Sequence, residues 1–222
     1  TSLAWPVQSR AMEPSALCVG QASVELVGAV PRYPVNPGGS HEVSAFTFQG
    51  GGAAANAAVT LARLGARAAF AGARSDDFLG EFAAAGLEEA GVGLAHLKVR
   101  AGGAVPAAFI VLEREHRRRT VFFTRGDLAG LAPGEVPPDA LDGVGLLLVD
   151  GAYPEAQLEL SRAARARGVK VLLAAHEMTD GMEPLADACD AIIASEGFAR
   201  ELSPTVPGAL TAMISRGASC SV

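Results

Sequence analysis

The sequence predicts an α/β fold: a three-layer α/β/α sandwich with a mostly parallel central sheet and a small β lid. Two observations carry that expectation. Short apolar runs of strand length alternate with segments of helical spacing, the pattern of parallel strands joined by right-handed helical crossovers. Two further extended stretches interrupt the alternation, each with turn chemistry and no helix between its halves, as hairpins do. The chain has 222 residues, half of them apolar and 19% charged, enough for one substantial core. One main domain is therefore expected over residues 16–222. It follows a disordered extension over residues 1–15, where Pro6, Gln8, Arg10 and Glu13 replace the apolar stretch of a secretory signal.

Taken in order, Ala16–Ala22 (ALCVGQA) reads as a buried strand. Val24, Leu26 and Val27 lead into a turn holding Pro31, Pro34 and Pro37, and Val43 to Phe48 is extended again. This hairpin, about residues 24–48, stands apart from the main sheet as one part of the lid. Gly50-Gly51-Gly52 then opens a helix whose Ala55, Val59, Leu61 and Ala62 recur near helical spacing and which Gly65 closes. Arg67–Ala73 is the next strand, and Ser75-Asp76-Asp77 supplies N-cap oxygens for a helix running to about Ala90. Ala107–Leu112 and Thr120–Thr124 flank a charged tip, giving the second lid hairpin over about 107–124. The alternation then resumes with strand Gly145–Val149, helix Glu155–Arg167, strands Lys170–Ala174 and Ala191–Ala194, helix Glu196–Leu202, and a last helix near Gly208–Ser215. The sequence stops at Val222, where a further strand is expected to begin, so the sheet reads as cut at its C-terminal side.

Composition excludes several classes. A formal charge of −6 and a pI near 5.2 offer no positive surface for nucleic acid or an anionic membrane, so neither is an expected partner. Three cysteines (Cys18, Cys189, Cys220) with no C-x-x-C form neither a disulfide framework nor a zinc knuckle, and a reducing, cytoplasmic home follows. The four histidines are scattered, with no pair at i, i+4, so no metal site is assigned. No apolar run approaches the roughly 18 residues a membrane span needs.

The strongest local signal is GGGAAANAA, Gly50 to Ala58. Glycines at the mouth of a helix let backbone N–H groups approach a ligand, because no Cβ intervenes and the first helical amides lack intrahelical partners. Asn56, one turn in, offers a donor and an acceptor that suit a hydroxyl. The structural alternative is a tight turn with Asn56 capping locally. A second alternative is a dinucleotide fingerprint, since Gly50, Gly52 and Ala55 satisfy G-x-G-x-x-A and Asp76 and Asp77 follow about 20 residues later. Against it, a hairpin precedes these glycines and both aspartates sit where they would cap a helix. There is no Walker A loop, because neither Lys98 nor Lys170 follows a glycine. Gly126-Asp127 sits just after the second hairpin and reads as a turn, and the Arg114–Arg119 tip reads as a solvated hairpin end.

The longer run GGGAAANAAVTLARLGARAAFAGARSDDFLGEFAAAGLEEAGV resembles the N-terminal signature region of the ribokinase/PfkB carbohydrate kinases. VGQASVEL, the two lid hairpins, LLLVDG and DAIIASEGFAREL follow in matching order, the last closer to the ketohexokinase-like or sulfosugar-kinase-like branch. The resemblance implies a ribokinase-like fold and ATP-dependent phosphoryl transfer to a hydroxyl of a sugar or related polyol, with ATP and Mg²⁺ as cofactors of the intact family. It implies that Gly51, Gly52 and Asn56 contact sugar hydroxyls. Glu25 stands where the family usually has an aspartate that holds two hydroxyls, with Ser23 on the same side of the strand, and Asp150 lies in the crevice at a strand's C-terminal end. Asp150 could equally serve as the N-cap of the following helix. The family's N-x-x-E is here Ser195-Glu196-Gly197-Phe198, and Ser195 and Glu196 are the candidate nucleotide-binding residues.

In this family the catalytic base and the anion-holding amides come from a glycine-aspartate turn (GxGD) near the C-terminus. No such turn follows Leu202, so no catalytic residue is assigned and the 222 residues alone are expected to be inactive. The competing readings are a non-catalytic sugar- or partner-binding remnant and a nicotinamide-dependent oxidoreductase. Phe46, Phe48, Phe109, Phe122 and Phe123 of the lid could cover a sugar or pack a homodimer, although ordinary sheet packing accounts for most of them.

Overall fold

The computed structural model describes residues 15–216, 218 and 220–222. The extension expected over 1–15 lies outside the described residues except for Ser15, which already opens the first strand. In chain order the elements begin with β1 (Ser15–Val19), β2 (Ser23–Val30), β3 (Phe46–Gly51), α1 (Ala53–Arg63), β4 (Arg67–Ser75) and α2 (Phe78–Glu89). Next come β5 (Gly93–Arg100), β6 (Ala107–Glu113), β7 (Arg118–Thr124), β8 (Leu146–Val149), α3 (Pro154–Ala166) and β9 (Lys170–Ala175). The chain closes with α4 (Met182–Asp187), β10 (Ala191–Ala194), α5 (Glu196–Leu202), α6 (Val206–Ser215) and β11 (Cys220–Ser221).

Seven strands form one sheet in the order β11-β10-β9-β8-β1-β4-β5, and every neighbouring pair in it is parallel. A parallel sheet of this kind is covered on both faces, so both sides of each strand must be apolar. The alternation along the central strands shows this directly. Leu17, Val19, Leu147, Val149, Val171 and Leu173 belong to one core, with residues of α3, α4, α5 and α6. Cys18, Phe70 and Leu148 belong to the other, packed with Ala54, Ala55 and Ala58 of α1 and Ala83 and Leu87 of α2. The three-layer sandwich expected from the alternation is therefore the observed architecture.

Local chemistry places the helices. Asp77 caps α2 by accepting a hydrogen bond from the Gly80 amide at 2.9 Å. Thr205 caps α6 through the Gly208 amide at 3.3 Å. Pro154 begins α3, where its missing N–H costs nothing.

The lid is one four-stranded sheet, β3-β2-β6-β7. Each expected hairpin is antiparallel, and β2 pairs with β6 in parallel register from Val24↔Ala107 to Val30↔Glu113. Gly126-Asp127, suggested as a turn by the sequence, is irregular chain just after β7, with Gly126 at φ 66°, and it is tied to Ala104. Asp127 Oδ1 accepts from the Ala104 amide at 2.7 Å and the Asp127 amide donates to Ala104 O at 3.2 Å. Two elements had no expectation attached to them, the edge strand β5 and the six-residue α4. Several boundaries differ by a few residues, β1 ending at Val19 and β4 running on to Ser75 among them, and at the site Gly50 and Gly51 end β3, so that only Gly52 forms the turn into α1.

Candidate functional site

The six residues singled out as substrate contacts fall on the start of β2, the end of β3, the first turns of α1 and the C-terminal end of β8. Ser23 and Glu25 are two apart on β2, so their side chains leave the same face of the lid sheet. The antiparallel register sets Ser23 opposite Gly51 and Glu25 opposite Gln49. A Cβ on Gly51 would overlap both Glu25 Oε1 and Ser23 Oγ, so the two polar groups converge on the space this glycine leaves open. The Gln49 carboxamide donates to Glu25 Oε2 at 2.9 Å. Oε1 and the Ser23 hydroxyl have no protein hydrogen-bond partner among the described residues.

Gly52 follows with φ 100° and ψ 134°, a conformation that L side chains rarely adopt. A Cβ here would also overlap the carbonyl of Gln21. The turn therefore lies directly against the peptide that links β1 to β2. One turn into α1, the Asn56 amide donates to Gly52 O at 2.9 Å. Its carboxamide is exposed and without a protein partner among the described residues. The structure thus brings Ser23, Glu25 and Gly51 into contact and backs Gly52 onto Gln21, while no hydrogen bond joins Asn56 to Glu25.

Asp150 enters from the other side of this junction. Its Oδ2 accepts from the Gln21 amide at 2.9 Å, and its Oδ1 accepts from the Ala152 amide and from Gln157 Nε2, each at 3.0 Å. Burial pushes its carboxyl above the usual carboxylate range, and the bonds from Ala152, Gln21 and Gln157 oppose that rise. It is not the cap of α3, whose N-cap is Tyr153. Its influence extends to neighbours: burial, with Asp150 nearby, pushes the Cys18 thiol and the Tyr153 hydroxyl to about 12.

The candidate nucleotide residues are engaged elsewhere. Ser195 Oγ accepts from the Phe198 amide at 3.1 Å and donates to His176 O at 2.7 Å, capping α5. Glu196 is exposed and bridges Arg200 at 2.5 Å. Among the described residues no group of three or more His, Cys, Asp or Glu side chains is placed to hold a metal ion. No helix among them is long and apolar enough to cross a membrane. A cavity lined by Val19, Ala132 and Leu160, and a groove between α2 and β5, both lie away from the six residues.

Sequence reasoning missed Gly20, Gln21, Gln49 and Gln157. The signal for Gln157 was available: it shares the spacing of Leu160, Ser161 and Ala164, all buried on α3, and a glutamine on an apolar stripe must find partners. Gln49 was legible once β3 was given its register against β2. Nothing local marks Gln21, which acts through its backbone.

The chain belongs to the pfkB family carbohydrate kinases, whose pattern matches residues 13–205. Over 82 residues it is 39% identical to Fructokinase-1 of Oryza sativa subsp. japonica, covering 37% of this chain and 25% of that protein. Over 109 residues it is 28% identical to the ketohexokinase of Mus musculus, covering 49% of this chain and 36% of that protein. The matches thus span about a quarter and a third of these curated relatives. The solved structure of an Arabidopsis thaliana ribokinase complexed with ribose and ATP superposes with a TM-score of 0.68 at 19% identity, covering 92% of this chain and 68% of that one. That likeness gives the ribokinase-like fold.

Proposed function

We propose that these residues form the acceptor side of an ATP-dependent kinase that phosphorylates a hydroxyl of a sugar or related polyol. One observation carries the reading: an unpartnered carboxylate oxygen and an unpartnered hydroxyl converge over Gly51, beside the Gly52 turn and beneath a four-stranded lid. A polyol presents adjacent hydroxyls that each donate and accept. Glu25 Oε1 would accept one hydroxyl proton and Ser23 would exchange a second bond. Asn56, with an exposed carboxamide, would take a hydroxyl at the helix end of the groove.

ATP would supply the transferred phosphoryl group, with Mg²⁺ offsetting its charge. What these residues contribute is orientation of the acceptor and exclusion of water by the lid. Because no glycine-aspartate turn follows Leu202 in these 222 residues, transfer by this chain alone is expected to be undetectable. Phe46 and Phe123 are each 61% exposed on the lid, which supports either closure over the acceptor or a homodimer through the lid. Cys18 and Cys189 are buried and free, in keeping with a reducing cytoplasm.

Calorimetric titration of the chain with a panel of pentoses, hexoses and polyols tests the acceptor reading; no binding at millimolar concentrations to any of them defeats it. Steady ATP-dependent phosphorylation by the same sample defeats the inactivity expectation. The second reading, a sugar-binding remnant without nucleotide affinity, draws on the engagement of Ser195 in its helix cap. An ATP titration separates the two.

A further inference from the structure

We infer that Asp150 and Gln157 are a positioning pair: they hold the Gln21 peptide behind the glycine turn and do not touch the acceptor. The inference rests on the acceptor reading above for its functional meaning, and on the hydrogen-bond inventory for its structure. A carboxylate offers about four acceptor positions. Those of Asp150 meet the Gln21 amide, the Ala152 amide and Gln157 Nε2 at 2.9–3.0 Å. The carboxylate also fills the space in front of Gly20, where a Cβ would overlap it. Every hydrogen bond that the described residues give this carboxylate thus comes from the frame around the turn.

Gln157 is fully buried and equally committed. Nε2 donates to Val19 O at 2.8 Å as well as to Asp150, and Oε1 accepts from the Gly151 amide at 2.9 Å. The side chain therefore ties the C-terminal end of β1 to that of β8 and fixes the carboxylate between them. From Asp150 the constraint passes through one peptide. The Gln21 N–H is bonded to Oδ2, and the Gln21 carbonyl lies against Gly52, which accepts the Asn56 amide. Two residues further along from Gln21 is Ser23. If the pair is broken, the Gln21 peptide can rotate, and both walls of the groove shift together.

A contact residue and a positioning residue respond differently to analogues that lack single hydroxyls. The experiment compares the unaltered chain with Asp150→Asn and Gln157→Met, titrating D-fructose and its singly deoxygenated analogues. The expected result is that each variant weakens every ligand by the same factor, on the order of tenfold. An analogue whose affinity is untouched by Asp150→Asn would identify a hydroxyl that Asp150 contacts, and would overturn the inference. Without sugar, amide NMR resonances of Gln21, Ser23 and Gly52 should move in both variants; if they stay in place in folded variants, the inference also fails. Should neither variant fold, through-hydrogen-bond couplings from the Gln21 and Ala152 amides to the Asp150 carboxyl carbon must be present in the unaltered chain, and their absence overturns it. If the unaltered chain binds no sugar, the acceptor reading falls alone and the NMR arms still decide the positioning pair.

Discussion

Glu25 occupies the space that a side chain on Gly51 would need. The glycine is thus required less for its backbone freedom than for the room it gives a carboxylate on the neighbouring strand. Gly51→Ala should push Glu25 Oε1 and Ser23 Oγ off their shared position. Sugar affinity is expected to fall by about tenfold or more, while the fold loses only on the order of 1 kcal/mol, because an exposed-side carboxylate can move aside. Calorimetry and thermal melts on the same sample check both halves. Unchanged affinity would mean the acceptor sits elsewhere.

Gln49 holds one oxygen of Glu25, so Gln49→Leu should release the carboxylate to other rotamers. A hydrogen bond to a charged group contributes roughly 1.5–3 kcal/mol, part of it in preorganisation. Affinity for every sugar should drop by about threefold to tenfold. Glu25→Asp, which withdraws the carboxylate from over Gly51, should instead change the ranking of sugars. A titration panel in which Glu25→Asp preserves the ranking would show that carboxylate reach does not set specificity.

The lid tip carries a pH-dependent term. Glu113 is buried on β6 and bonded to His116 Nδ1 at 2.6 Å. That bond holds its carboxyl below the usual range, against the opposing effect of burial, with help from the His116 charge, the Tyr33 backbone and Arg118. A depressed folded pKa gives stability that is present above the ordinary glutamate value, near 4.3, and lost as pH falls through the lower folded value. Glu113→Gln should therefore flatten the acid limb of a denaturation-midpoint-versus-pH curve. An unchanged limb would remove Glu113 as its source.

Ser195→Ala tests a helix cap against a nucleotide contact. Loss of the cap and of the bond to His176 O should cost about 1 kcal/mol and lower the melting temperature by roughly 2–4 °C. ATP affinity, if the chain has any, should change by less than about threefold. A much larger fall in ATP binding than in stability would show that the hydroxyl leaves its cap for the nucleotide.

How much of this was legible in the sequence depended on the range of the interaction. Helix α5 was read to the residue because its start is written locally, in a serine followed by its own first turn. Asp77 was read as a cap for the same reason. Strand β5 escaped because it lies at the sheet edge, mixes exposed and half-buried residues, and pairs with β4 through a shift in register, which blurs the alternation that marks a strand. The short α4 has too few residues to show helical spacing. At the site, Glu25, Ser23 and Gly51 came from resemblance to a family, and their convergence could be confirmed only from strand register. The engagement of Asp150 was invisible, since its partner Gln21 is 129 residues away in sequence and contributes only its backbone.

The parallel pairing of β2 with β6 joins two hairpins that α1, β4, α2 and β5 separate along the chain. Neither hairpin can complete the flap until that intervening region has folded and delivered residue 107 beside residue 24, a long loop closure whose reward comes late. The flap's outer strands carry little buried apolar surface, so its opening should require far less than global unfolding. Amide exchange of β7 ahead of β1 and β8 would be the signature, and it would make ligand entry a property of how this protein is assembled.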